Sequence, residues 1–188
     1  MTAIDERHID RLVRRSVRGD AQAFGRIFDI YADHVFAYAN ARLRDSHEAE
    51  DVTATVFLKA FGAIQTYDRR GLPFGAWLFR IARNTTIDHV RREGRMPQPV
   101  DCLEELVGPD SVVLDEEVAA RLDSAQVRSA VQQLTEDQAA VVACRFFWDM
   151  DVRQTAQALN RTEGSVKALQ HRALRALARL LEEMNDHE

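Results

Sequence analysis

Between residues 66 and 92 the chain interleaves aromatic rings with guanidinium groups. Tyr67, Phe74, Trp77 and Phe79 stand among Arg69, Arg70, Arg80, Arg83, Arg91 and Arg92. Aromatic faces stack on unpaired bases and cations follow a phosphate backbone, so this mixture suits single-stranded nucleic acid. Trp77, Leu78 and Ile81 share helical spacing and equally fit a core. The loop at 67–72 is less easily assigned to a core and includes Gly71, which permits a backbone turn. A second segment, residues 151–177, reads DVRQTAQALNRTEGSVKALQHRALRAL. From Arg153 to Arg179 it carries six basic residues against one acidic, Glu163. Lys167, Ala168, His171, Arg172, Arg175 and Arg179 fall opposite the apolar positions Val166, Leu169 or Ala173, Leu174 and Leu177. A helix of this kind fits a DNA major groove, with cations on phosphates and polar groups on base edges.

These side chains need elements to hold them. Val152, Ala156 and Leu159 form the apolar stripe of a helix, Asn160 and Arg161 break it, and Thr162 can cap the next helix. That is a helix-turn-helix. Upstream, Ile9, Leu12, Val13, Ser16 and Val17 predict a short first helix, ended by Gly19 and Asp20. Phe24, Ile27, Phe28, Tyr31, Val35, Phe36 and Leu43 predict a long one over 21–44. Ser46 is the expected cap of a third helix, which carries Val52, Val56, Phe57, Ala60 and Phe61 and has Glu48 and Glu50 in its first turn. Pro73 suits the first turn of a fourth. Thr135 and Gln138 fit a capping box ahead of an apolar helix over 139–148, where Cys144 should be buried. After Arg92 the composition changes: residues 93–130 hold nine acids against three bases and three of the four prolines. The expected fold is all-α, with two small helical domains, 1–93 and 117–188, joined by an acidic flexible linker at 94–116.

Composition narrows the function. The 188 residues are 46% apolar, enough for real cores, and the net charge of −5 excludes a general polyanion binder. Nucleic-acid contact must come from local patches or from a partner. The two cysteines form no metal-ligand cluster, and Cys102 falls in the linker. The six histidines are scattered, and no phosphate-cradling glycine loop or nucleophile motif is present, so neither an enzyme nor a cofactor or metal is expected. The N-terminus lacks an apolar core of signal-peptide length and no apolar run is long enough for a membrane, which predicts a reduced, cytoplasmic setting without membrane insertion. A conventional helix-turn-helix repressor or activator that binds duplex DNA without polymerase is the competing reading. It leaves the aromatic-basic loop without a role, and the chain shows no dimerisation heptad.

A single-strand module and a duplex module on one chain suit a protein that opens a promoter. The sequence resembles the bacterial sigma factors of the extracytoplasmic-function group. AFGRIFDIYADHVFAYANARLRDSHEAEDVTATVFLKAF resembles that family's first conserved block, FGAWLFRIARNTTIDHVRR its most specific signature, and LTEDQAAVVACRFFWDMDVRQTAQALNRTEGSVKALQHRALRAL its C-terminal helix-turn-helix block. The resemblance implies a region 2-like N-terminal domain and a region 4-like C-terminal domain. It implies core RNA polymerase, through its β and β′ subunits, and promoter DNA as partners, with an anti-sigma protein as inhibitor. Glu48, Asp51, Thr55, Phe57 and Lys59 would meet the polymerase. Tyr67, Arg69, Arg70, Phe74, Arg80, Asn84, Asp88 and Arg91 would meet the unpaired −10 element. Arg161, Thr162, Ser165, Lys167, Ala168, His171, Arg172 and Arg175 would meet the −35 duplex. The chain departs from the family pattern at three places: Ala54-Thr55 replaces a frequent Gln-Glu, Ala168-Leu169 a frequent Ser-Arg, and Asn160 a turn glycine. Asn tolerates the left-handed conformation that turn needs.

Overall fold

The computed structural model describes residues 6–43, 45–68, 71–94 and 125–185, and every regular element among them is helical. The N-terminal half has four helices: α1 (Glu6–Val17), α2 (Ala21–Arg42), α3 (Ser46–Ala63) and α4 (Phe74–Arg92). The C-terminal half has α5 (Ala125–Gln133), α6 (Glu136–Val142), α7 (Val152–Leu159) and α8 (Glu163–Asn185). Cys102 and the linker from residue 95 onward lie outside the described residues.

Local chemistry sets the helix ends. Gly19 turns the chain with φ of 91°, and Asp20 then caps α2 by accepting from the Ala23 amide at 3.0 Å. That amide and the Arg15 guanidinium, at 2.8 Å, hold the Asp20 carboxyl below its ordinary pKa. The cap of α3 is Asp45 rather than the expected Ser46: its carboxylate accepts from the His47 amide at 3.0 Å, and Ser46 is already helical. The Thr135–Gln138 capping box of α6 forms as predicted, and Asp151 with Gln154 makes a second one at α7. Asn160 ends α7 in the left-handed region, φ 53° and ψ 49°, and Thr162 accepts from the Ser165 amide at the start of α8.

The expected helix over 139–148 is interrupted. After α6 the chain makes one wide π turn over Ala143–Phe147, closed by Trp148 N–H donating to the Ala143 carbonyl at 3.0 Å. Such a turn lets one extra residue into a helix and re-aims the chain beyond it. Here it sends Trp148 across to the N-terminal half.

One apolar core runs through both halves. Ile27, Val35, Val56, Leu78 and Phe79 are fully buried on one side, and Val127, Val131, Leu134, Cys144 and Leu177 on the other. Trp148 joins them: its ring lies 5.8 Å from Tyr31, 6.0 Å from His34 and 5.3 Å from Phe79, edge-on to the last. Polar contacts flank this seam. Arg42 donates to the carbonyls of Val131 and Leu134, and Gln132 donates to that of Leu43 at 2.8 Å. Arg83 pairs with Glu136 and Asp137. The two units expected from the sequence are thus packed face to face.

Candidate nucleic-acid interface

Helix α4 builds its outer face from Arg80, Asn84, Asp88 and Arg91, all exposed. Steps of four, four and three residues place them in one stripe along the helix. The opposite face buries Phe74, Leu78, Phe79, Ala82, Thr85 and Thr86, which fixes the stripe's direction. At its N-terminal end the Tyr67 ring sits 5.6 Å from Phe74 and 5.1 Å from Trp77, and its hydroxyl donates to the Leu72 carbonyl at 2.6 Å. Tyr67 is therefore held in place with part of its surface open. Phe74 is corrected as a base-stacking candidate: it is only 5% exposed, packed between Tyr31 and Tyr67. The half-buried Trp77 has the open ring surface that Phe74 lacks. Arg69 and Arg70 lie outside the described residues.

The second helix of the helix-turn-helix is assembled as the spacing predicts. Val166, Leu169, Ala173, Leu174 and Leu177 bury one side of α8. Lys167, Ala168, Arg172 and Arg175 are exposed on the other, with Ser165 and His171 at its margin. Arg161 and Thr162 flank the helix start. Arg161 pairs with Asp137, and the Thr162 hydroxyl is engaged as a cap acceptor. Together these side chains make a cationic surface that a phosphate backbone can approach.

A third surface lies on α3. Glu48, Asp51, Thr55 and Lys59 follow each other at helical spacing. Asp51 is exposed, and Glu48 lies 3.6 Å from His89. Lys59 donates to the Thr85 hydroxyl at 3.1 Å, which ties this face to α4. Phe57 is corrected: it is buried against Phe24 and Phe28 and cannot be a surface contact. Its neighbours Leu58 and Phe61 are 72% and 51% exposed, and Phe28 on α2 is 42% exposed, apolar surface that residue spacing alone did not single out. The available signal was that apolar residues occupy more of α3 than one stripe can bury.

The buried ionisable groups serve packing. Burial pushes the Tyr38 hydroxyl up to about 12 and raises the Cys144 thiol well above its ordinary range. No cluster of histidine, cysteine and carboxylates suited to a metal occurs among the described residues. No helix among them is long and apolar enough to cross a membrane.

The chain matches known families in both halves. Residues 27–96 match the sigma-70 region 2 family and residues 130–179 match sigma-70, region 4. The ECF RNA polymerase sigma factor BldN of Streptomyces coelicolor is 38% identical over 182 residues, spanning 94% of this chain and 67% of that protein. In fold, the chain is similar to CnrH, solved in complex with the cytosolic domain of CnrY, with a TM-score of 0.71 and 24% identity over 95% of this chain and 99% of that one. It is also similar to the sigma factor RpoE in complex with the anti-sigma factor NepR from Bartonella quintana, with a TM-score of 0.63 and 22% identity over 85% and 96% of the two chains.

Proposed function

Because the chain belongs to the extracytoplasmic-function RNA polymerase sigma factors, we propose a division of labour among its three surfaces. The protein directs core RNA polymerase to promoters, and phosphodiester chemistry belongs to the polymerase. In our reading α3 docks on the polymerase through Glu48, Asp51, Thr55 and Lys59 together with the exposed Leu58 and Phe61. The stripe Arg80, Asn84, Asp88 and Arg91, with Tyr67 and Trp77 at its head, takes the unpaired −10 strand. Helix α8 reads the −35 duplex through Lys167, Ala168, His171, Arg172 and Arg175. An anti-sigma protein is the further partner, and the cytoplasm is the site of action.

The observation that carries this reading is the separation of chemistries. Ring surface and cations converge at α4, as unpaired bases require. A cationic helix face without rings stands at α8, as a duplex groove requires. The test is to mix the full chain with sigma-free core polymerase, isolate the complex on a sizing column, and transcribe genomic promoter fragments. Co-elution with specific transcripts supports the reading. Tight duplex binding by the free chain with no polymerase complex would replace it with a conventional regulator.

A further inference from the structure

A cleft of about 450 Å³, the size of a small-molecule site, lies between the start of α1, the 71–75 segment and α7. Its deeper wall is apolar and aromatic, made by Ile9, Tyr31, Leu72 and Phe74 with Tyr67 at the side. Its rim is acidic. Glu6 and Asp10 stand about one turn apart on α1, and Asp151 lies across from them at the start of α7. Against these three carboxylates the described lining holds one cation, the exposed Arg153. Arg80 fixes the far wall, donating from Nε to the Ala158 carbonyl at 2.8 Å and from Nη2 to that of Gln157, which also lines the cleft. Gln154 spans the rim: its side chain donates to Glu6 at 2.6 Å and its backbone N–H to Asp151 at 2.7 Å. Both carboxylates are thereby held in place and keep further acceptor capacity.

The deep wall carries an unpaired polar atom. Tyr31 is 4% exposed, and its hydroxyl has no hydrogen-bond partner among the described residues. It lies beside Gly75, another lining residue, where an added Cβ would meet the hydroxyl at 3.3 Å. Burial, and after it the charge of Glu6, raise the hydroxyl above its ordinary pKa of 10.0, so it stays neutral. Buried hydroxyls are nearly always paired, and this one is open to an N–H donor brought by a ligand.

The spacing of the charges selects the ligand. The three carboxylates ring the cleft and do not converge, and no group of His, Cys, Asp or Glu among the described residues is placed to hold a metal ion. Separated carboxylates around apolar walls fit ammonium groups separated by methylenes. The carboxylates and the faces of the tyrosine rings attract the charges, and Ile9, Leu72 and Phe74 cover the methylenes. We propose that this cleft binds a linear aliphatic polyamine, with its ammonium groups on Glu6, Asp10 and Asp151 and one of them donating to the Tyr31 hydroxyl. The site goes beyond the functional reading above and does not depend on it.

The experiment is calorimetric titration of the full-length chain with spermidine in about 150 mM NaCl, which screens diffuse attraction to surface charge. Wild type should bind one spermidine saturably, with a Kd below about 100 µM. Butylamine, with a single ammonium, should bind at least about tenfold more weakly, and magnesium at matched ionic strength should not displace spermidine. Tyr31→Phe keeps the ring and the net charge and removes only the hydroxyl, so binding should weaken about threefold or more. Glu6→Gln should weaken it about tenfold, whereas Glu182→Gln, an equal loss of charge on exposed α8 surface outside the cleft, should leave it unchanged. Absence of saturable binding overturns the proposal. So does butylamine binding as tightly, displacement by magnesium, equal weakening by the two glutamate variants, or unchanged affinity in a folded Tyr31→Phe. If Tyr31→Phe fails to fold, the two glutamate variants decide. Neither polymerase nor DNA enters the titration, so a failure here leaves the functional reading standing.

Discussion

Burial beside Trp148 and Tyr31 lowers the pKa of His34 below the ordinary 6.5, chiefly through desolvation. Asp33, Asp149 and a hydrogen bond with the Ile30 backbone pull the other way and do not compensate. The neutral ring is favoured when the halves are closed, and opened or unfolded chains bind the proton more readily. Stability from this site is therefore fully present above about pH 6.5 and is lost as pH falls below it. Melting at pH 7.5 and 5.5 should show a larger drop for wild type than for His34→Gln, which cannot titrate. On α8, Arg172→Ala should weaken duplex binding and lower the slope of log affinity against log salt by about 1, since one phosphate contact is lost. An unchanged slope would mean that another face of α8 meets the DNA.

Among the elements, α3 and the π turn invite the clearest tests. Leu58→Ser with Phe61→Ser changes one side chain that is mostly in water and one that is half exposed with its ring 5.0 Å from Phe24, so the fold should lose a modest amount, about 1–2 kcal/mol for the pair. Each is expected to bury apolar surface against the polymerase, so the complex should weaken at least about tenfold in a binding titration. Deleting one residue from Ala143–Phe147 should convert the π turn to a regular helix and rotate Trp148 by about 100°. In a Trp77→Phe background, the remaining indole should then emit at longer wavelength, as it leaves its buried site. The sequence makes much of this legible. Periodicity places the helices, Thr135 and Thr162 announce their caps, and Asn160 marks the turn, because each is a local effect within a few residues. What it hides is non-local or ambiguous. Val56, Phe57, Leu58, Ala60 and Phe61 crowd one helix, and only the packing of α2 decides that Phe57 goes in while Leu58 and Phe61 stay out. Nothing near residue 34 or residue 80 announces Trp148 or the end of α7, which lie far along the chain.

At the scale of the molecule, the shared core predicts how the chain melts. Tyr31, His34 and Phe79 on one side and Trp148 on the other belong to one continuous apolar cluster or its immediate wall. Calorimetry of the full chain at neutral pH should show one cooperative transition, with calorimetric and van't Hoff enthalpies in agreement. Two resolved transitions would mean that the halves fold as independent units. The same seam has a bearing on engineering. A promoter-swapped chimera that grafts residues 125–188 from a relative onto this N-terminal half also exchanges one side of a packed interior. Unless the graft brings an indole at 148, a donor at 132 and backbone carbonyls that Arg42 and Arg80 can reach, the hybrid will inherit a new DNA preference on a poorly packed interior. Such hybrids should melt earlier than either parent, whatever promoter they select.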